Sequence, residues 1–196
     1  MNIYIVRHGE TDWNIQGRLQ GVSDIPLNVN GIASSIRLKP FFDGMCLQAL
    51  ITSPLKRTIM TGLLLIQDAQ VDSYRLDERI IEKNYGICEG MIIQDRQALY
   101  PNGHSEGEES YKNVRFRMIS ALKDYRAQYD KDILVVSHGA AIAALMKELD
   151  PFYQTYYVCL NNNALTILDG DTLSIKAFNL SIEEALAWKG NVKNFD

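Results

Sequence analysis

Residues 2–11 read NIYIVRHGET, and residues 131–141 read KDILVVSHGAA. Each runs β-favouring apolar residues, Ile3–Val6 in the first and Ile133–Val136 in the second, into one polar residue and then His-Gly. Short apolar runs of this kind read as strands buried on both faces, the pattern of a parallel sheet. Of the three histidines in the chain, two, His8 and His138, sit at these strand ends. In open parallel sheets, ligands bind beyond the carboxyl ends of the strands. If the two strands are neighbours, both imidazoles reach one crevice. The glycine after each leaves backbone N–H groups open to close approach.

The segments between these strands supply helices. Asn30-Gly31-Ile32 opens a helix to about Phe42, capped by Asn28 or Asn30. LQALITS at 47–53 reads as a strand, and SPLKRTIMTGLLLIQ at 53–67 as a helix with Ser53 as N-cap and Pro54 as first residue. Leu55, Ile59, Leu63 and Ile66 form its apolar stripe. Residues 73–90 give only short extended pieces. IIQDRQALY at 92–100 reads as a helix ended by Pro101, PNGHSEGEES at 101–110 as a loop, and 110–129 as a long helix. That helix places Val114, Met118, Ala121, Leu122 and Tyr125 on one side. GAAIAALMKEL at 139–149 is a helix ended by Pro151, and NALTILDGDTLSIKAF at 163–178 a hairpin turning at Gly170-Asp171. Strands alternate with helices, so the expected class is α/β: a mostly parallel central sheet sandwiched between helix layers.

With 196 residues, the chain is expected to form one domain with a sizeable core. Its 46% hydrophobic and 22% charged content is ordinary for a soluble protein. No stretch approaches the roughly 20 apolar residues of a membrane span, and the start lacks the basic leader and long apolar run of a signal peptide. Three cysteines without CxxC spacing point to a reducing, cytoplasmic setting and to no zinc knuckle. A net charge of −4 argues against nucleic acid as a partner, so an anionic ligand would need a local cluster of positive groups.

The arginines supply such a cluster. Arg57 lies beside Lys56 in the first turn of the helix after Ser53, where cations oppose the helix dipole unless an anion binds there. Arg7 precedes His8 at a strand end, where a buried charge needs a partner. Two guanidiniums, two imidazoles and helix N-termini at one sheet edge describe a phosphate site. A nucleotide P-loop is excluded by the absence of GxxxxGK[ST], and a serine nucleophile elbow by the absence of GxSxG. Glu10 and Asp12 near His8 lack the spacing of metal ligands.

The whole pattern resembles the histidine phosphatase superfamily, which includes the cofactor-dependent phosphoglycerate mutases. The matching segments, in family order, are IVRHGETDWNIQGRLQG from Ile5, DIPLNVNGI from Asp24, ITSPLKRTIMTG from Ile51, RIIEKNYGICEG from Arg79, GEES from Gly107 and VVSHGAAI from Val135. Thr58 and Met60 depart from the usual Ala and Gln, and Tyr85 and Cys88 from the usual Phe and Trp. The resemblance implies His8 as the phosphorylated nucleophile and Glu82 as proton donor. It implies Arg7, Arg57 and His138 as holders of the phosphoryl group, with Asn14, Gln20, Gly21, Tyr85 and Gly139 in the substrate-binding set. The residues alone leave Glu82, Glu10, Asp12 and Glu89 equal as proton donor.

The expected activity is a phosphomonoesterase that needs no metal or cofactor and acts on a small phosphorylated metabolite. Residues 83–112 form a small cap-like insertion in this reading. Lys83 to Ser110 leaves little room for the mutases' usual insertion, and Ala140-Ala141-Ile142-Ala143 lacks the polar residues of many mutases. Mutase activity is the alternative, as is a phosphohistidine carrier or phosphoprotein-binding module with little turnover. His104 reads as an exposed polar residue, while Cys88, Tyr100 and Tyr111 line the pocket or pack.

Overall fold

The computed structural model describes residues 1–101, 104–154 and 159–192. Eight strands follow in chain order: β1 (Asn2–Arg7), β2 (Cys46–Leu47), β3 (Ala49–Thr52), β4 (Gln70–Val71), β5 (Tyr74–Leu76), β6 (Ile133–Ser137), β7 (Leu165–Asp169) and β8 (Ile175–Leu180). The helices are α1 (Asp12–Ile15), α2 (Val29–Leu38), α3 (Lys56–Leu65), α4 (Ile93–Leu99), α5 (Tyr111–Gln128), α6 (Gly139–Leu149) and α7 (Ile182–Val192). Six strands form one sheet in the order β5-β3-β6-β1-β7-β8, and β2 pairs with β4 separately. β1, β3, β5 and β6 run parallel, while β7 and β8 are antiparallel additions. The α/β class with a mostly parallel sheet is therefore what the chain adopts.

Strand alternation divides the core between two faces. Ile3, Ile5, Ile133 and Val135 pack with the inner sides of α5 and α6. Tyr4, Val6, Leu134 and Val136 pack on the other face with Leu38, Leu65 and Ala185 from α2, α3 and α7. The buried side of α5 is Val114, Met118, Ala121, Leu122 and Tyr125, as its spacing predicts, and Ser110 caps it by accepting from the Asn113 N–H at 3.2 Å.

One alternative is decided and three expectations need correction. Asn28, not Asn30, caps α2, its side chain accepting from the Gly31 N–H at 2.8 Å; the helix gives way to a 3₁₀ turn at Lys39–Phe41, where Pro40 supplies no N–H. The strand expected at 47–53 is split between β2 and β3, which pair in different sheets. Helix α3 starts at Lys56 with Leu55 as N-cap, because the Ser53 hydroxyl is drawn to other partners. Its expected apolar stripe is only partly its core face: Leu55 and Ile66 are buried, but Leu63 is 46% exposed, and Arg57, Thr58, Thr61, Gly62 and Leu65 make up the rest of the buried side. Helix α7 has no counterpart in the sequence reading.

Candidate functional site

The sheet register assembles the site. Arg7 pairs with Ser137 and Thr52 with Val136, so β1, β6 and β3 end side by side. The residues that follow, His8, His138 and Ser53, therefore emerge at one edge. The two histidine rings lie 5.2 Å apart, centroid to centroid.

Each imidazole has its proton fixed by its neighbours. His8 Nδ1 lies 2.7 Å from the Gly9 carbonyl. A carbonyl only accepts, so Nδ1 carries the hydrogen and Nε2 keeps its lone pair. At His138 the order is reversed: Arg57 Nε–H donates to Nδ1 at 3.3 Å, so Nε2 holds the hydrogen and donates to Ser53 Oγ at 2.7 Å. Burial, then the charges of Arg57 and Arg7, hold the His8 pKa well below the ordinary imidazole value. Burial, then Arg57, His8, Arg117 and Arg7, do the same at His138. Both rings are neutral at neutral pH.

The adjacent basic residues of α3 part company. Lys56 points outward, its Nζ 3.3 Å from Asp24, whose other oxygen accepts the Lys56 backbone N–H at 2.8 Å. Asp24 thus places negative charge at the start of α3. Arg57 turns inward and is completely buried. Its Nη1 and Nη2 donate to the carbonyls of Ser23 and Gly21, each at 2.7 Å. Burial pushes its pKa down to about 10 against the opposing pull of Glu82, Asp24 and Glu89, so it stays cationic at neutral pH.

The loop that supplies those carbonyls is held in turn by Glu89. Its carboxylate accepts the N–H groups of Val22 at 2.9 Å, Ser23 at 2.8 Å and Tyr85 at 3.3 Å, together with the Ser23 hydroxyl. Gly21 has φ of +52°, and a Cβ there would overlap Glu89 Oε1, so glycine is needed on both counts.

Glu82 sits at the N-terminus of α6. Its oxygens accept from the N–H groups of Ala140 at 3.1 Å, Ala141 at 2.9 Å and Lys83 at 2.8 Å. Arg7 donates to the Leu160 carbonyl. It lies against Gly139, where a Cβ would stand only 3.2 Å from its Nε. Asn14 Oδ1 accepts from the Thr11 N–H at 3.1 Å and from Asn162 Nδ2 at 3.3 Å, which turns its own NH₂ the other way. Gln20 is buried, with an amide oxygen that has no hydrogen-bond partner among the described residues. Tyr85 lies under Lys83 Nζ, 4.3 Å from the ring centre. Burial, then Glu82, hold its hydroxyl far above the usual phenol value, so it remains a donor.

The structure thus brings His8, His138, Arg7, Arg57, Glu82 and Gly139 to one edge, with the Gly21 loop and Asn14 tied to it. It leaves Glu10 outside, its carboxylate accepting from the amides of Asn28 and Asn30 at 3.1 and 3.3 Å. His104 is exposed, Cys88 is buried, Tyr100 ends α4 and Tyr111 starts α5 beside Lys83. Three contributors were not foreseen. The sequence points to Ser53 as a helix cap and to Glu89 only as a possible proton donor, and it gives Asn162 no role. Asn162 Nδ2 also donates to the His8 carbonyl at 3.0 Å; the run Asn161-Asn162-Asn163 just before an apolar strand is the signal that could have found it.

Comparison with known proteins gives a consistent picture. The phosphatase PhoE of Bacillus subtilis strain 168, itself uncharacterized, is 34% identical over 167 residues, covering 82% of this chain and 86% of that one. A probable phosphoglycerate mutase, GpmB, of Escherichia fergusonii is 32% identical over 162 residues, 76% of this chain and 74% of that one. Among solved structures, Bacillus stearothermophilus YhfR superposes with a TM-score of 0.81 at 23% identity, over 92% of this chain and 98% of that one. The model of the histidine phosphatase superfamily (branch 1) matches residues 3–179, and the chain belongs to that superfamily.

Proposed function

We propose that the protein is a metal-independent phosphomonoesterase that works through a phosphohistidine on His8. The observation that carries this reading is the His8 tautomer. The Gly9 carbonyl takes Nδ1–H, and the neutral ring keeps Nε2 as a nucleophile. In the first step the Nε2–P bond forms while the bond from phosphorus to the ester oxygen breaks. Arg7, Arg57 and His138 stabilise charge on the equatorial oxygens. Glu82 protonates the departing alkoxide, then takes a proton from the water that attacks the phosphohistidine, releasing phosphate and restoring His8. Asn14, Gln20, Gly21, Tyr85 and Gly139 line the substrate side, and the described part of 83–112, residues 83–101 and 104–112, serves as a small cap.

The substrate in this reading is a small phosphorylated metabolite. Hydrolysis is preferred to isomerisation because of the short 83–112 segment and the apolar Ala140-Ala141-Ile142-Ala143 run; the relative named as a probable mutase favours the alternative. The cysteines Cys46, Cys88 and Cys159 are unbridged, which supports a cytoplasmic setting. Among the described residues, no helix is long and apolar enough to cross a membrane.

The test is phosphate release from a panel of phosphorylated metabolites, with 3-phosphoglycerate assayed separately for isomerisation. Multiple turnovers are expected, unchanged by EDTA and inhibited competitively by vanadate. Quenched enzyme should carry acid-labile, base-stable phosphate. His8→Ala should abolish turnover with the fold intact. Substantial turnover by that variant, or activity lost to EDTA and restored by magnesium or zinc, overturns the reading.

A further inference from the structure

Ser53 Oγ, which receives the His138 Nε2–H, lies 2.8 Å from Thr58 Oγ1. Thr58 is completely buried on α3, at the position where the sequence departs from the family's alanine. Its hydroxyl lies 2.7 Å from the Leu55 carbonyl and 3.0 Å from that of Ser53. The hydrogens in this chain have one preferred order. Arg57 Nε is always a donor, which favours His138 Nδ1 as acceptor and the hydrogen of the neutral ring on Nε2. Ser53 Oγ accepts that hydrogen and needs an acceptor for its own. Thr58 Oγ1 is that acceptor, and its hydrogen goes to a backbone carbonyl, which cannot reverse the direction.

We infer that Thr58 is a positioning residue: through Ser53 it locks the His138 tautomer and keeps an acceptor aimed at Nε2–H in every charge state of the ring. The inference rests on the proposed phosphatase reading for its use, though not for its geometry. For His138 to donate to an entering phosphoryl group, Nδ1 must take a proton from solvent or from the substrate's monoanion, and the Arg57 Nε–H must turn from Nδ1 to the phosphoryl oxygens. The resulting imidazolium has two N–H groups, and Ser53 already satisfies the second. Without the Thr58 hydroxyl, Ser53 is free to turn its hydrogen toward Nε2. The ring proton then moves to Nδ1, where it meets Arg57 Nε–H, donor against donor. The groups facing His138 are Arg57 on α3, His8 and Arg7 at the end of β1, Arg117 on α5 and the Glu82 carboxylate at the start of α6. The cations among them all resist a proton on the ring, so the imidazolium depends on the phosphoryl charge and on its acceptors.

The test uses Thr58→Val, which preserves shape without the hydroxyl, Thr58→Ala in case valine distorts the helix, and Thr58→Ser as the rescue. The Leu55 carbonyl still accepts the N–H groups of Thr58 and Ile59 in all three, so the helix start keeps its bonds. The first readout is ¹⁵N NMR of ring-labelled histidine without ligand near pH 7.5, assigned with His138→Gln. Wild type and Thr58→Ser should show His138 protonated at Nε2 alone, and Thr58→Val and Thr58→Ala a mixture of tautomers. An unchanged tautomer in both of these variants overturns the inference. The second readout is the pH profile of kcat/KM with p-nitrophenyl phosphate. Loss of an acceptor for a charged donor should move the alkaline limb down by about one pH unit in Thr58→Val. A merely structural loss would lower the whole profile by one factor at all pH values, and that outcome also overturns it. If wild-type protein releases no phosphate, the phosphatase reading fails, while the tautomer measurement still decides the role of Thr58.

Discussion

Glu89→Gln separates the holding of Arg57 from the transfer of protons. Glu89 and Glu82 are both carboxylates in one short segment, and the residues alone do not say which one gives a proton to the leaving group. In the structure Glu89 is committed to the loop beneath Arg57: three N–H groups and one hydroxyl donate to it. Glutamine keeps one accepting oxygen and replaces the other with a donor. In one orientation it faces the N–H groups of Val22 and Tyr85, in the other that of Ser23. One or two charge-assisted bonds are lost, each worth about 1.5–3 kcal/mol. The site is half-buried, so the lower end applies, and about 2 kcal/mol of stability should disappear. For a chain of this size that lowers Tm by about 4–8 °C. The carbonyls of Gly21 and Ser23 then no longer fix the guanidinium, and a displacement near 1 Å costs on the order of 10²-fold in rate. The assay is kcat/KM on p-nitrophenyl phosphate and on an alkyl phosphate, with vanadate inhibition alongside. Both esters should lose the same factor, and vanadate should bind more weakly. If alkyl phosphates lose far more than the nitrophenyl ester, Glu89 is the proton donor and the positioning argument is refuted. Activity within twofold of wild type and unchanged vanadate binding would show that Arg57 does not depend on this loop.

Glu82→Gln should behave in the opposite way: the phosphoenzyme burst should slow by ~10²–10⁴-fold on alkyl phosphates and far less on p-nitrophenyl phosphate, whose phenolate leaves without a proton. Equal losses in the burst would remove Glu82 from the role. Stability should also fall on mild acidification, because His8 and His138 are held neutral in the fold, while in the unfolded chain they take up protons below about pH 6.5. The unfolded state binds more protons there, so unfolding free energy should fall steadily as the pH is lowered from 6 to 5. Urea unfolding that is flat across that interval would contradict the neutral pair.

The parts legible in the sequence were those set by local pattern. The two His-Gly strands proved adjacent because short apolar runs with no polar face must be covered on both sides, which places them in the middle of a sheet. The buried side of α5 followed from helical spacing over five turns. Helix α3 was misread at both ends of the scale. Its start is decided by Asp24, thirty-odd residues away, and by a serine whose hydroxyl belongs to His138. Its buried face carries Arg57, Thr58 and Thr61 because it borders the site, so hydrophobic spacing finds Leu55 and Ile66 but misses the polar part of that face. The tie between Glu89 and the Gly21 loop joins residues nearly seventy apart and leaves no local trace. Helix α7 was legible and unread: Ser181 and Glu184 form a reciprocal capping box, at 2.8 and 3.2 Å, in the plain sequence Ser-Ile-Glu-Glu.

In the proposed reaction, Glu82 stands at the same helix start that would receive the anion. Three backbone N–H groups donate to its carboxyl oxygens, and its charge also acts on Arg57. An arriving phosphoryl group is drawn to the same two features, the start of α6 and the guanidinium. Each Arg57 amino group has one hydrogen committed to a loop carbonyl and a second to offer, so the side chain can face the phosphoryl oxygens without leaving its loop. In the proposed cycle Glu82 gives a proton to the leaving alkoxide and takes one from the attacking water, and the N–H groups at the start of α6 hold its carboxyl in one place for both steps.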